Sequence, residues 1–154
     1  MQSAQQARTI VVLGGPSAHR LVSEFGSTDR LGLVKGDVYD AQSLHSAFND
    51  AYGVFAVTQN RIVGGNIDTK DDMKHELEAG RNIVNAADAC KVQHFFMSSL
   101  PNLTNASSGH FIKVYHFDYK HQIEQWAWQR LPAVTALLPG LFYSNMLWEQ
   151  YFRK

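Results

Sequence analysis

The feature that most constrains the fold is a regular alternation of short apolar runs with stretches of helical periodicity. Five runs predict strands, at residues 9–13, 31–35, 53–58, 92–97 and 133–138. They are short and largely apolar, as buried parallel strands are, and the first is also rich in β-branched residues. Parallel strands need long crossover connections, and helical crossovers cover both faces of a sheet. The pattern therefore predicts an α/β domain with a doubly wound parallel sheet of about five strands.

Helices are predicted between these strands. Apolar side chains recur at helical spacing in residues 17–25, in residues 41–51 after an Asp40 N-cap, in residues 73–87 and in residues 116–130. No internal repeat, low-complexity block or linker interrupts the 154 residues. We therefore expect a single domain over residues 1–154.

Composition excludes several classes of function. Basic and acidic residues number 14 each, so no charge excess favours direct binding of nucleic acid or of an anionic membrane. No run is long enough to span a membrane. The single Cys90 rules out an intrachain disulfide and favours a cytoplasmic location, with the nucleus as an alternative. The seven histidines show no ligand spacing, so no metal site is predicted.

Small and polar residues follow the predicted strands. The pairs are Gly14-Gly15, Gly36-Asp37, Thr58-Gln59, Ser98-Ser99 and Pro139-Gly140. Ligands of open α/β sheets bind at the carboxyl ends of the strands. Glycine in the first pair lets backbone N–H groups come close to a phosphate. The sequence therefore predicts a ligand crevice along this edge of the sheet.

The motifs along the chain resemble those of the NmrA-like proteins, an atypical branch of the short-chain dehydrogenase/reductase superfamily. The segments that carry the resemblance are, in order, GDVYDAQSL, GVFAVT, HFFMSSLPN, HFDYK and LLPGLFYSNM. With the glycine pair after the first strand, the resemblance covers about residues 9–147. The resemblance implies a Rossmann-like fold, an oxidoreductase ancestry and a dinucleotide partner, with NAD or NADP as the cofactor.

The resemblance also implies a role for individual residues. Gly14 and Gly15 would approach the diphosphate, Asp37 and Val38 would meet the adenine, and Thr58 and Gln59 would line the dinucleotide. Ser98 and Ser99 would border the nicotinamide, and Lys120 would bond to the nicotinamide ribose.

The catalytic tyrosine of many short-chain dehydrogenases has no counterpart in this chain. That tyrosine stands four residues before the lysine, where this sequence has His116. A histidine can exchange protons near neutral pH, so His116 and Lys120 are the catalytic candidates. Many NmrA-like proteins carry the same substitution and are regarded as cofactor-sensing regulators, which implies a redox sensor.

The N-terminal part departs from the family pattern. The first turn reads GGPSAHR in place of Gly-x-x-Gly-x-x-Gly, and only 17 residues separate Leu13 from Leu31. Such a length accommodates one crossover helix, so one helix-strand unit is expected to be absent. We expect the strand at residues 31–35 to move beside the first strand, shifting Asp37 by ~4.8 Å. The absent unit would carry the residue that separates NAD from NADP, and the substrate-binding lobe that the resemblance implies after LFYSNM is expected to be absent.

Three functions remain open from the sequence. The leading prediction is an NmrA-like NAD(P)-binding protein of oxidoreductase ancestry in a regulatory, auxiliary or degenerate form. One alternative is an active NAD(P)H-dependent reductase of a fungal metabolic or secondary-metabolite pathway, using His116 and Lys120. The other is a protein-interaction module without a ligand. Aromatic residues concentrate after Gly140, which predicts binding to a protein partner or self-association.

Overall fold

The structure is a computed structural model that describes residues 8–13, 23–24, 32–59, 71 and 73–140. Its elements alternate along the chain: β1 (Ile10–Val12), α1 (Ala41–Phe48), β2 (Gly53–Ala56), α2 (Lys74–Ala89), β3 (His94–Ser98), α3 (Leu103–Ala106), α4 (Tyr115–Arg130) and β4 (Val134–Leu137). Ser23 and Glu24 are also helical. The predicted α/β class is confirmed.

The four described strands form one parallel sheet in the order β1-β2-β3-β4. Each strand pairs with the next one in the chain, and Val54, Phe95 and Val134 lie side by side in the register. This order corresponds to strands 1, 4, 5 and 6 of the Rossmann order 3-2-1-4-5-6. Because the strands run in parallel, their carboxyl ends meet along one edge.

A layer of three helices covers one face of the sheet. Helix α2 packs against α1 on one side and against α4 on the other. The largest fully buried side chains between these helices and the sheet include Phe48, Leu44 and Ile83 of the helices and Phe95 and Met97 of β3. Alternate strand residues point into this layer, since Val54 and Phe95 are buried whereas Phe55 and Phe96 are half-buried. The core thus lies between the sheet and these helices.

The predicted second strand is not formed over residues 32–35. These residues have no regular secondary structure, and Leu33 and Val34 are 50% and 65% exposed. An apolar run that gains so little burial does not offset the conformational entropy lost when a strand is ordered. The described residues therefore contain four strands rather than about five, and the expected move of this strand beside β1 was wrong.

Local sequence signals explain where the shorter helices begin and end. Asp40 caps α1, as predicted, by accepting hydrogen bonds from the backbone N–H groups of Gln42 and Ser43. The helix ends at Phe48 rather than at residue 51, and Asp50 has a left-handed φ of 57°. Asn102 caps the four-residue helix α3 by accepting a hydrogen bond from the backbone N–H of Asn105.

The two long helices, α2 and α4, each contain 16 residues. Helix α4 was predicted over residues 116–130 and begins one residue earlier. Of the helices in the described ranges, none combines the length and the apolar character that crossing a membrane would need. In the same ranges, no three His, Cys, Asp or Glu side chains are grouped as they would be around a metal ion.

Candidate functional site

One stripe of helix α4 faces the carboxyl edge of the sheet. His116, Lys120 and Glu124 are spaced one helical turn apart, so their side chains leave the helix on the same side. Lys120 reaches Thr58, two residues beyond the end of β2. Glu124 reaches Ser99, immediately beyond the end of β3. The helix therefore presents a cation to one strand end and a carboxylate to the next.

The ammonium of Lys120 has an acceptor for each of its three N–H groups. Nζ donates to the Thr58 carbonyl at 2.6 Å and to the Thr58 hydroxyl at 2.8 Å. It also lies 2.8 Å from Oε1 of Glu76. The Lys120 side chain is 12% exposed. A lysine has three donors and no acceptor, so the side chain is fully bonded within the protein.

Glu76 is the partner that sequence reasoning missed. Its side chain is fully buried, and its Oε1 accepts a hydrogen bond from the Thr58 hydroxyl at 2.8 Å besides contacting Lys120. Its other oxygen, Oε2, is buried without a hydrogen-bond partner. A signal was present in the sequence: Glu76 shares the buried stripe of α2 with Gly80 and Ile83. A carboxylate on a buried helix face predicts a cationic partner elsewhere in the chain.

The close crossing of α2 and α4 brings Glu76 to Lys120. At the crossing, a Cβ added to Gly80 would lie 2.4 Å from two side-chain carbons of Ile123 and 2.9 Å from a third. Real Cβ atoms essentially never approach so closely, so a larger residue at position 80 would force the helices apart. Glu76 lies one turn before Gly80, and Lys120 lies one turn before Ile123. The absent side chain of Gly80 therefore sets the spacing of the ion pair.

The end of β3 carries a second polar contact. Ser99 is fully buried, and its hydroxyl donates to Oε2 of Glu124 at 2.5 Å, a distance typical of a hydroxyl bonded to a carboxylate. Ser98 is the last residue of β3 and is half-buried. Of the pair predicted to border the nicotinamide, Ser99 is thus engaged with α4.

The aromatic residues near His116 do not replace the absent tyrosine. His116 is half-buried and lies edge-on to Phe117, with ring centroids 4.6 Å apart. Tyr119 is buried, and desolvation by burial raises its pKa, which the nearby Lys74 partly opposes. A raised pKa disfavours the ionised form that a proton-exchanging tyrosine would use. Tyr119 is therefore poorly suited to proton exchange with a substrate.

The residues predicted to meet the adenine form a local turn. One carboxylate oxygen of Asp37 accepts from the backbone N–H of Tyr39 at 2.9 Å, and the backbone N–H of Asp37 donates to the Ser43 hydroxyl at 2.7 Å. The Val38 carbonyl accepts from the Asn82 side chain at 3.0 Å. Asp37 is exposed. A turn role, which the residue type also allows, is thus satisfied within the chain.

The remaining predicted residues stand apart from this cluster. Gln59 is exposed, and its carbonyl lies 3.2 Å from a ring nitrogen of His75. Gly14 and Gly15 lie outside the described residues, as do the aromatic residues beyond Gly140. The structure therefore joins Thr58 directly to Lys120, and it places Ser99 against the next turn of the same helix.

A cleft of about 470 Å³ lies beside α4. Its lining includes Asn102, Ile112, Tyr115, Gln122 and Gln125. Neither His116, Lys120 nor Glu76 contributes to it. The candidate site is consequently defined by the polar contacts at the sheet edge and not by this cleft.

Comparison with known proteins identifies similar chains. A family model described as the NmrA-like family matches residues 23–150. The chain is 32% identical over 122 residues to the NmrA-like family domain-containing oxidoreductase hkm9 of Aspergillus hancockii, covering 75% of this chain and 33% of that protein. It is 25% identical over 126 residues to the NmrA-like oxidoreductase FrzB of Cladobotryum sp., covering 77% of this chain and 34% of the relative.

Solved structures share the fold at low identity. A crystal structure of NmrA, a negative transcriptional regulator, has a TM-score of 0.64 at 20% identity, covering 91% of this chain and 48% of that one. The NADPH-dependent quinone oxidoreductase QOR2 of Escherichia coli, complexed with NADPH, has a TM-score of 0.62 at 18% identity, covering 90% and 41%. The triphenylmethane reductase of Citrobacter sp., complexed with NADP(H), scores 0.64 at 14% identity, covering 93% and 44%.

The matched regions are only parts of these proteins. The chain spans about a third of the length of the two curated relatives and less than half of the three structures. The similarity therefore concerns the Rossmann-like, α/β part that these proteins have in common with the chain.

Proposed function

This chain belongs to the NmrA-like family, and we propose that it binds a nicotinamide dinucleotide in a regulatory or auxiliary role, as a redox sensor rather than a catalyst. The observation that carries the proposal is the position and the hydrogen bonding of Lys120. Its ammonium stands at the carboxyl edge of the sheet, where Rossmann-like proteins bind dinucleotides, but the protein itself occupies all three N–H groups.

The residues at this edge fit the nicotinamide ribose. A ribose hydroxyl can both donate and accept, and the edge supplies a cationic donor in Lys120 and a half-buried hydroxyl in Ser98. The fully buried carboxylate of Glu76 supports this edge through its contact with Lys120. When bound, the dinucleotide would supply a nicotinamide that exists in an oxidised and a reduced form. Two proteins of similar structure are complexes with NADPH and NADP(H), which supports a nicotinamide dinucleotide, NAD or NADP, as the ligand of this chain.

The same residues argue against efficient hydride transfer with proton exchange. His116 stands in place of the tyrosine, and burial raises the pKa of Tyr119. The Lys120 ammonium, which would assist a proton donor, is bonded to Thr58 and Glu76. Because general acid catalysis needs a donor within reach of the substrate and a suitable pKa, a regulatory role accounts better for this arrangement.

An active reductase is the second candidate. Both curated relatives carry the word oxidoreductase in their names. His116 and Lys120 lie one turn apart on the same stripe of α4, and a histidine has an ordinary pKa suited to proton exchange near neutrality. The pathway proposed for this candidate is a fungal metabolic or secondary-metabolite pathway.

A protein-interaction module without a ligand is the third candidate. Ile10 and Val12 on β1 and Leu137 on β4 are each about half exposed, which gives the sheet exposed apolar side chains that a partner could cover. Partner binding and self-association were predicted from the aromatic residues beyond Gly140. Those residues lie outside the part of the chain that the structure describes. For the compartment we propose the cytoplasm or the nucleus, since Cys90 is an unpaired thiol.

Calorimetric titration with NAD⁺, NADH, NADP⁺ and NADPH tests the proposal. We expect at least one of the four to bind with a dissociation constant below a millimolar. Hydride transfer to a panel of carbonyl and enone substrates should then be undetectable. Turnover that is lost in His116→Ala would replace the proposal by the active reductase, and failure of all four dinucleotides to bind would leave the interaction module.

A further inference from the structure

All the hydrogen-bond donors of the Lys120 ammonium are used within the protein. Its three N–H groups have three acceptors: the Thr58 carbonyl, the Thr58 hydroxyl and Oε1 of Glu76. A ribose hydroxyl oxygen can therefore accept from Lys120 only after one of the three has been displaced. Which acceptor is displaced depends on the interactions that each of them would lose on leaving Lys120.

The Thr58 hydroxyl is the acceptor that is most easily replaced. Glu76 supplies the negative charge that compensates the nearly buried ammonium, and separating the two would leave both charges without compensation. The Thr58 carbonyl makes the shortest of the three contacts, at 2.6 Å, and belongs to the backbone beyond β2. The Thr58 hydroxyl is neutral, and it keeps its bond to Glu76 when Lys120 turns to another acceptor.

We propose that Glu76 is a positioning residue that holds Lys120 for a ribose hydroxyl, and that this hydroxyl replaces the Thr58 hydroxyl as the third acceptor. The inference rests on the proposed function, because its ligand is the nicotinamide dinucleotide. Gly80 makes the arrangement possible, since it allows α2 and α4 to approach until the ion pair forms. Glu76 itself acts through Lys120 and Thr58.

The two neighbours of Lys120 should then affect dinucleotide affinity in opposite directions. Thr58→Val removes an acceptor that Lys120 uses only in the ligand-free protein, so it destabilises the free state more than the complex and tightens binding. Glu76→Gln removes the charge that holds the ammonium at the edge, so part of the binding energy is spent on ordering Lys120. A purely structural role predicts weaker binding in both variants.

Calorimetry on the full chain with NADP⁺ and NAD⁺ measures this difference in sign. We expect Thr58→Val to bind about 3- to 10-fold more tightly and Glu76→Gln about tenfold more weakly. Glu78→Gln, which changes an exposed carboxylate on the same helix, should stay within about twofold. Shifts in the same direction, or no shift in either variant, overturn the proposal. Thr58→Val is nearly isosteric, so it provides a test even if Glu76→Gln does not fold.

Lysine acylation without ligand separates this inference from the proposed function. With acetic anhydride and peptide mass spectrometry, Lys120 of the wild-type protein should react at least about tenfold more slowly than the exposed Lys113. Glu76→Gln should raise the Lys120 rate and leave the Lys113 rate unchanged. Equal rates in the wild type overturn the positioning by Glu76. Slow Lys120 acylation together with no binding of any dinucleotide overturns the proposed function, and with it the ribose exchange.

Discussion

Two ends of the expected dinucleotide site are built in different ways. At the Lys120 end, the bonded partners lie 18 and 62 residues apart in the chain, and Glu76 and Thr58 are buried. At the Asp37 end, the partners of Asp37 lie 2 and 6 residues away and Asp37 is exposed, although Val38 also bonds to Asn82, 44 residues away. The Lys120 end therefore depends on how two helices pack, whereas the Asp37 end depends mainly on a local turn. Single substitutions should therefore have larger effects at the first end.

The largest effect is expected from Lys120→Met. This substitution keeps the aliphatic part of the side chain and leaves the Glu76 carboxylate buried without its cation. Breaking a buried ion pair by removal of one partner costs about 3–5 kcal/mol, so the free energy of unfolding should fall by that amount. Urea denaturation followed by circular dichroism measures the loss.

Two further variants control the Lys120 experiment. Lys113→Met changes an exposed lysine of the same chain and should stay within about 0.5 kcal/mol of the wild type. Adding Glu76→Gln to Lys120→Met should restore part of the stability, because it neutralises the uncompensated carboxylate. A loss below about 1 kcal/mol in Lys120→Met would mean that the two ends of the site do not differ as described.

The next effect is expected from Gly80→Ala. The added methyl group would overlap Ile123, and overpacking of this kind costs about 1–3 kcal/mol. The better helix propensity of alanine offsets about 1 kcal/mol of this cost, so a net loss of up to about 2 kcal/mol is expected. Thermal unfolding checks the loss, and Lys120 should be acylated faster because the ion pair is pushed apart. If Ile123→Ala in the same chain does not reduce the effect of Gly80→Ala, the close crossing is not its cause.

A smaller effect is expected at the local end, from Asp40→Ala. The variant removes the acceptor that satisfies two backbone N–H groups at the start of α1. Loss of such a cap lowers the free energy of unfolding by about 1 kcal/mol. Asp40→Asn retains an acceptor oxygen and should stay close to the wild type. Urea denaturation compares the two, and an unchanged Lys120 acylation rate would confirm that the ends are independent.

The smallest expected effect is on the pH dependence of stability, through the ionisation of Tyr119. Burial raises the pKa of this phenol in the folded protein, so the unfolded chain releases its proton at lower pH than the folded one. The stability that Tyr119 contributes is therefore fully present at pH values below the ordinary pKa of tyrosine. It is lost as the pH rises through the raised pKa of the folded protein. Urea midpoints between about pH 8.5 and pH 11 should fall more steeply for the wild type than for Tyr119→Phe. Parallel curves would show that the ionisation of Tyr119 does not contribute.

Much of the architecture could be predicted because its causes are local. The apolar runs around β2, β3 and β4, the Asp40 cap and helix α4 follow from residue types over a few positions. The strand predicted at residues 31–35 is not formed, because a strand depends on more than local composition. The run has strand-like composition, but a strand also needs a neighbour and burial, and Leu33 and Val34 are largely exposed.

The candidate site could be predicted only in part. The resemblance singled out Thr58 and Lys120, which the structure brings into contact. It did not single out Glu76 or Glu124, because the partners of these carboxylates are separated from them by 18 or more residues and lie on other elements. A buried carboxylate is visible in the helical pattern, but the cation opposite it is not.

The amino-acid sequence alone determined the α/β class and the positions of most helices and strands. These follow from interactions within a few residues of one another, which local composition encodes. Only the tertiary structure decided that Lys120 is bonded to Thr58 and Glu76 and that Tyr119 is buried. Those facts depend on the crossing of α2 over α4 at Gly80 and Ile123, and a crossing is set by the packing of side chains that are distant in the chain.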